Sequence, residues 1–357
     1  MSGSTGSPHF EPHSSAVEVM RRKIIYWTLW ILVLFCLLIG IVLFSLCAGS
    51  VGIPLKKVLQ VILEGKGTAE YSILFDIRLP RIILGFAVGG ALSLAGVILQ
   101  GMFRNPLVEP YTLGISGGAS LGVCLNIVLR LNSILGILSL PLAGFLGAIL
   151  VIMLVYSLSI RKGILKIQGL LLTGVMISFI SSSLIMLIMS VSHIEDLHGI
   201  VFWVMGSLEE PNWLLIKLAL GISIFGLVAS YVFCFDLNAF SLGEEEAFHL
   251  GINVERTKRL LFIIASLLTG LSVSVAGIIG FVGLVVPHFV RMFVGSDHRI
   301  LLVDSFLCGA GFLIFCDTLA RTIFSPLELP VGVITGILGG SFFVYALTKK
   351  QVVLGEK

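Results

Sequence analysis

The chain has 357 residues, 57% of them hydrophobic and 12% charged, with a mean hydropathy of +1.09 and a net charge of +3. A soluble domain carries about 25% charged residues, so water is not the solvent for most of this chain, and so small a net charge without a basic, aromatic-interleaved patch argues against nucleic acid. Six cysteines (Cys36, Cys47, Cys124, Cys234, Cys308, Cys316) sit in or beside apolar runs without paired spacing, which reads as buried free thiols and not as a metal site or disulfide framework.

In chain order, residues 1–20 are rich in Ser, Gly and Pro and read as a disordered tail. Arg21-Arg22-Lys23 then lead into an apolar run reaching Ala48, too long for a signal-peptide core and without a cleavage site, so it is retained as a span. Further apolar runs fall near 82–102, 112–130, 134–160, 169–192, 213–235, 259–277, 278–295, 300–320 and 328–347. About 20 apolar residues cross a bilayer core as a helix. The expectation is an all-α polytopic membrane protein of about ten transmembrane helices, with residues 21–357 forming one transmembrane domain. An even number of spans puts both termini on one side. That side collects the larger share of Lys and Arg, Arg21, Arg22, Lys23, Arg256, Lys258 and Arg259 among them, which places it in the cytoplasm.

Four stretches interrupt this pattern. Phe75–Arg81, FDIRLPR, closes a long extracytoplasmic connection, and Asp317–Arg321, DTLAR, ends the ninth span on the same face. Arginines there read either as headgroup anchors or as docking points for an acidic partner, since guanidinium pairs bidentately with carboxylate. Asn105–Ser120, NPLVEPYTLGISGGAS, holds two prolines and three glycines and cannot be one continuous helix. It is either a cytoplasmic loop or a broken segment lining a pathway. Ala95-Gly96 with Pro106, and Ala276-Gly277 with Pro287, share one spacing, and the five spans between them would make the repeat inverted. Ser241–Arg259, SLGEEEAFHLGINVERTKR, is a polar island in an oily chain. Ser241 before Glu244 reads as a capping box, Gly251 as a helix stop and Asn253 as a second cap. The island is then either two short helices projecting from the membrane or a helix lying flat among the headgroups.

No catalytic constellation is legible. His193 and His198 share a loop with Glu195 and Asp196 but lack a second cluster, and no GxxxxGK[ST] phosphate loop occurs. The charged residues Glu109, Asp304 and Asp317 sit nearer span ends than centres, unlike an intramembrane proton relay. Transport with neither relay nor nucleotide site points to energy from a separate subunit. The competing class is an ion-coupled secondary transporter, and a third is a membrane scaffold or sensor.

The stretches RLPRIILGFAVGGALSLAGVILQGMFRNPLVEPYTLGISGGASLG from Arg78, LGEEEAFHLGINV from Leu242, AGIIGFVGLVVPHFVRMFVGSDHRILL from Ala276 and ELPVGVITGILGGSFFVYAL from Glu328 resemble the permease subunits of ABC importers for iron-siderophore complexes, haem and cobalamin. The resemblance implies a type II importer permease with an inverted internal repeat, working as a homodimer in the cytoplasmic membrane of a prokaryote. It implies two ATPase partners that bind ATP and Mg, a substrate-binding protein outside, and no cofactor, metal or catalytic residue in this chain. It makes Leu242, Gly243, Glu244, Glu245, Glu246, Phe248, Leu250 and Gly251 the ATPase-coupling loop. Arg78, Arg81 and Arg321 become the binding-protein contacts, and Asn105, Pro106 and Leu107 a cytoplasmic gate. The cargo is expected to be a metal chelate, ferric siderophore first, with cobalamin and haem as alternatives.

Overall fold

The computed structural model describes residues 13–355 except 66, 132–135, 137, 162 and 211. The described residues are mostly helical. In order it forms α1 (His13–Cys47), α2 (Leu55–Glu64), α3 (Ala69–Ser72), a wide-turned helical stretch (Ile73–Arg78), α4 (Leu79–Phe103), a short 3₁₀ turn (Pro110–Leu113), α5 (Ile115–Val128) and α6 (Ser139–Ser159). A two-stranded hairpin follows, β1 (Ile160–Arg161) and β2 (Ile164–Leu165), paired antiparallel. Then come α7 (Ile167–Val191), α8 (Ile194–Val204), α9 (Trp213–Val232), α10 (Cys234–Phe240), α11 (Glu244–His249), α12 (Val254–Ala276), α13 (Val282–Val294), α14 (His298–Thr322) and α15 (Val331–Gly355).

Seven helical segments are long and apolar enough to cross a membrane, and α5, α13 and α15 supply three shorter apolar ones. Each of the ten expected spans coincides with one of these. The starts of two spans move most. The first helix begins at His13, so residues 13–20 are helical and not a tail, while residues 1–12 lie outside the described residues. At 1.5 Å per residue its 35 residues reach about 52 Å, well beyond a bilayer core. The second span starts earlier than Ile82, because α3, the wide turn and α4 run on without a break from Ala69 to Phe103.

The core is built around α4, 89% of whose apolar window is buried, against 11% for α1. Helices in lipid gain no hydrophobic drive from meeting each other, so close approach of backbones through small residues does the work. Gly89 packs on the Gly309 carbonyl of α14, Gly90 lies under the Phe306 ring, and Gly96 lies on the carbonyl of Gly283 at the start of α13. A second contact of this kind joins α5 to α6, where Gly118 and Gly147 meet backbone to backbone.

The two ends of the bundle are chemically distinct. At the proximal end, where α1 begins, Lys23 reaches Asp297 at 3.5 Å and Asn238 donates to the same carboxylate at 3.0 Å. The α10–α11 region and the β-hairpin share this end through Lys258. At the distal end, α2 lies across the exit of α1. Val58 and Val61 are buried under Leu74, while Leu55, Leu59 and Leu63 are exposed. An amphipathic helix with an uncovered apolar face suits an interfacial position.

Candidate functional site

The polar island forms two short helical elements around a glycine, as its sequence suggests, but its start is built differently. Ser241 does not cap α11. It ends α10 instead, its Oγ donating back to the Leu237 carbonyl at 3.1 Å. Residue 243 precedes α11 with φ 138°, a conformation open to glycine and strained for other residues, so the capping position belongs to Gly243. The three glutamates of the first turn still meet the positive end of the helix. After His249 the chain reverses at Gly251 (φ 86°), and the Asn253 side chain accepts from the Arg256 N–H at 3.1 Å to start α12. Ala247 is the one fully buried residue of α11. Leu242, Phe248 and Leu250 are 66%, 69% and 65% exposed, an apolar knob on the segment that carries Glu245 and Glu246.

Lys258 is not part of a surface basic cluster. It is 2% exposed, with its Nζ 3.0 Å from Glu244 of α11 and 2.7 Å from Glu255 of α12, and it donates to the Leu165 carbonyl of β2 at 3.3 Å. Glu255 in turn accepts from the Leu165 N–H at 2.9 Å, and Arg259 donates to the Gly163 carbonyl. The α11 helix, the α6–α7 hairpin and the root of α12 are therefore one polar-bonded unit. A cavity of about 310 Å³ separates this unit from the end of α4, bounded by Arg104, Lys166 and Glu244 among others. At the same end, Arg299 hydrogen-bonds Asp297 and holds that carboxyl far below the usual carboxylate range.

The expected gate residues follow directly on α4. Arg104 turns left-handed (φ 49°), the Leu107 N–H bonds the Asn105 side-chain oxygen at 2.9 Å across Pro106, and Asn105 and Leu107 are exposed. Of the two readings of Asn105–Ser120, the structure favours the broken segment. After Leu107 the chain climbs back beside α4, setting Pro110 against Gly283 and Leu113 against Gly174 of α7. Gly283 packs on Gly96, seven residues or about 10 Å inside the end of α4. A second interruption, Gly277–Phe281, lies against the first. The Ile279 N–H donates to the Tyr111 hydroxyl at 3.1 Å and the Phe281 N–H to Glu109 at 2.6 Å. Gln100, 3% exposed, donates to the Gly283 and Leu284 carbonyls at 3.3 Å and accepts from Arg291 at 3.1 Å. The shared Ala-Gly…Pro spacing has no common geometry: Gly96 lies inside α4 and Pro106 after it, whereas Gly277 ends α12 and Pro287 lies inside α13.

At the distal end the three arginines come together but face inward. Arg78, Arg81 and Arg321 are 2%, 5% and 4% exposed. Arg321 pairs with Asp317 at 2.9 Å and donates to Ser45, Arg81 pairs with Glu328 at 2.7 Å and Glu209 at 2.9 Å, and Arg78 donates to the Leu46 and Val51 carbonyls. They are neither headgroup anchors nor free docking cations in the isolated chain. They join α1, α4, α14 and the loop before α15.

His193 and His198 belong to the start of α8 and not to a loop, and His198 stacks on Phe202 at 4.3 Å between ring centroids. Asp304 is fully buried seven residues into α14, with both carboxylate oxygens lacking a hydrogen-bond partner among the described residues. Among the described residues there is no group of three His, Cys, Asp or Glu side chains arranged to hold a metal ion. Sequence reasoning missed Gln100, Lys258 and the Glu109–Phe281 contact. A lone glutamine within the apolar run of α4 is the one local signal that marks any of them.

The sequence from residue 36 to 349 matches the model of the FecCD transport family. The chain is 39% identical to the hemin transport system permease protein HmuU of Yersinia pestis over 79% of this chain and 85% of that one. It is 40% identical to the cobalamin import system permease protein BtuC of Halobacterium salinarum, over 77% of this chain and 73% of the relative. With the Fe(3+) dicitrate transport system permease protein FecD of Escherichia coli it shares 38% identity over 88% and 96%. A solved metal-chelate type ABC transporter in an inward-facing conformation superposes with a TM-score of 0.80 at 30% identity, covering 89% of this chain and 98% of that one.

Proposed function

Because this chain belongs to the FecCD transport family, we propose that it is the membrane-spanning subunit of an ATP-driven importer whose cargo is a metal chelate, ferric siderophore first and haem or cobalamin next. The observation that carries the reading is the exposed knob of Leu242, Phe248 and Leu250 on the segment that carries Glu245 and Glu246, set on a unit that Lys258 ties to two spans. An apolar knob in a charged rim is what a partner's groove receives, and the missing phosphate loop says what that partner must supply. We assign Leu242–Gly251 as the coupling loop that meets a separate ATPase holding ATP and Mg, and the proximal end as cytoplasmic, with both termini there. The functional unit is a homodimer with two ATPases in a prokaryotic inner membrane, the pathway running between the two copies.

A soluble or tethered binding protein delivers the chelate to the distal end. Arg78, Arg81 and Arg321 shape that face, and Arg81 reaches a docked carboxylate by exchanging Glu209, which is largely exposed, for the partner's side chain. Asn105, Pro106 and Leu107 close the cytoplasmic mouth. The test is stimulation of the purified cognate ATPase by the permease. Stimulation that survives deletion of Leu242–Gly251 would remove the loop from the mechanism.

The runner-up class, ion-coupled secondary transport, draws on one observation, the unpartnered Asp304. The other candidate carboxyls are not free to form a relay with it: Asp317 is paired with Arg321, and Glu109 is engaged by the Phe281 N–H.

A further inference from the structure

The gate segment and the second helix interruption are fastened together by two side chains whose partners are 168 and 172 residues away in sequence. Phe281 is the residue on which this contact turns. It immediately precedes α13 with φ 68° and ψ −20°, left-handed, among the described residues the lone bulky apolar side chain in that region. For a residue with a Cβ this conformation costs about 1–2 kcal/mol, and it persists only where surrounding structure imposes it. Two contacts impose it here. The ring is wedged against Gly339 and Gly340 of α15, where a Cβ on Gly339 would lie 2.6 Å from the Phe281 Cβ. The N–H is taken by Glu109 Oε1 at 2.6 Å.

Glu109 is also two residues beyond Leu107 on the gate segment, whose turn the Asn105 side chain closes. Its carboxylate lies at the start of α13, where the first N–H groups are without intrahelical acceptors and the helix dipole favours negative charge. Tyr111 adds a second fastener two residues on, its hydroxyl accepting from the Ile279 N–H at 3.1 Å. A displacement of the gate must therefore pull on Phe281, and relaxation of Phe281 to an ordinary backbone conformation must release the gate.

We propose that Glu109 and Tyr111 are positioning residues that latch the Asn105–Leu107 gate to the left-handed Phe281. The latch makes the gate and the start of α13 a single element that is either held or released. This rests on the gate assignment above. It is tested without transport, so that failure of the importer reading and failure of the latch are separate results.

The experiment uses the full-length permease carrying Val108→Cys in lipid nanodiscs, a gate-segment position that is only 3% exposed while the latch is held. The rate of reaction with a membrane-impermeant maleimide is read by mass spectrometry of the peptide that contains residue 108. Glu109→Ala is expected to raise the rate about two- to tenfold, the factor one net hydrogen bond corresponds to. Glu109→Gln, whose amide oxygen still accepts from the Phe281 N–H, is expected to stay within about twofold of the parent. In a Phe281→Gly background, where the left-handed conformation is unstrained, the effect of Glu109→Ala should shrink to less than about twofold.

An unchanged rate in Glu109→Ala, an equal rise in Glu109→Gln, or an undiminished effect with glycine at 281 would each overturn the latch. Should Glu109→Ala fail to reach the membrane, Tyr111→Phe removes only a hydroxyl and is expected to raise the same rate. A parental rate in that variant overturns the proposal equally.

Discussion

Replacing Phe248 by alanine isolates the coupling contact from the fold. In the free chain the phenylalanine is 69% exposed and meets the His249 ring in a T-shaped contact, at 6.1 Å between ring centroids. Full burial of a phenylalanine side chain is worth about 1.5–3 kcal/mol. Roughly two-thirds of that remains to be gained when a partner covers the ring, so truncation should cost about 1–2 kcal/mol of association per loop, or about five- to thirtyfold in Kd. The permease itself should lose less than about 0.5 kcal/mol, as exposed positions generally do. Titrating the fluorescent cognate ATPase onto permease in nanodiscs measures the first quantity, and thermal unfolding in detergent the second. Parental affinity in Phe248→Ala would refute the coupling assignment. Weaker binding with an equal loss of thermal stability would show that the ring supports the fold and not the interface.

Three further outcomes follow from the packing. Lys258→Met keeps the volume but leaves Glu244 and Glu255 without their cation; because both carboxylates are partly exposed and can rehydrate, the cost should be about 1–3 kcal/mol, below that of a fully buried pair. The same variant should hydrolyse more ATP per chelate imported, since the hairpin loses its tie to α11; an unchanged ratio in vesicles would reject that link. Gly96→Ala drives a methyl into the Gly283 carbonyl, and with backbone on the receiving side the loss should sit near the upper end of overpacking, about 3 kcal/mol, read as a fall in Tm. Asp297→Asn should lower Tm at pH 7. Arg299 holds the Asp297 carboxyl below its unfolded value, so its contribution is complete above the ordinary carboxylate range and fades only as pH falls through the lower folded value. The wild-type minus Asp297→Asn difference should therefore be flat from pH 8 to about pH 5, and a difference that shrinks over that interval would contradict the pairing.

The spans were legible because a bilayer asks for long apolar runs, and this chain supplies one for each spanning helix. The interruption at Gly277–Phe281 was less so: read by hydropathy alone, residues 278–295 form one apolar run, and nothing in Ile278-Ile279-Gly280-Phe281 announces a left-handed phenylalanine. Ser241 matched a capping pattern whose competing outcome, bonding back to the Leu237 carbonyl at the end of α10, depends on a helix the apolar run to residue 235 had obscured. Lys258 looked like a surface cation because its partners come from three different elements. Gln100 and Glu109 meet backbone groups more than 170 residues away, and pairings at that separation leave no local trace. The distal arginines were found by motif, but their inward pairing with Asp317, Glu328 and Glu209 could be read only once the helices were in place.

The central claim, that this chain moves its cargo with energy from a separate ATPase, is tested most directly by uptake into proteoliposomes. Permease is reconstituted with the cognate ATPase and binding protein, and accumulation of radioactive ferric siderophore is followed with or without ATP and with or without proton and sodium gradients. The account predicts uptake that requires ATP, Mg and both partners and is indifferent to either gradient. Accumulation driven by an ion gradient in vesicles holding the permease alone would contradict it.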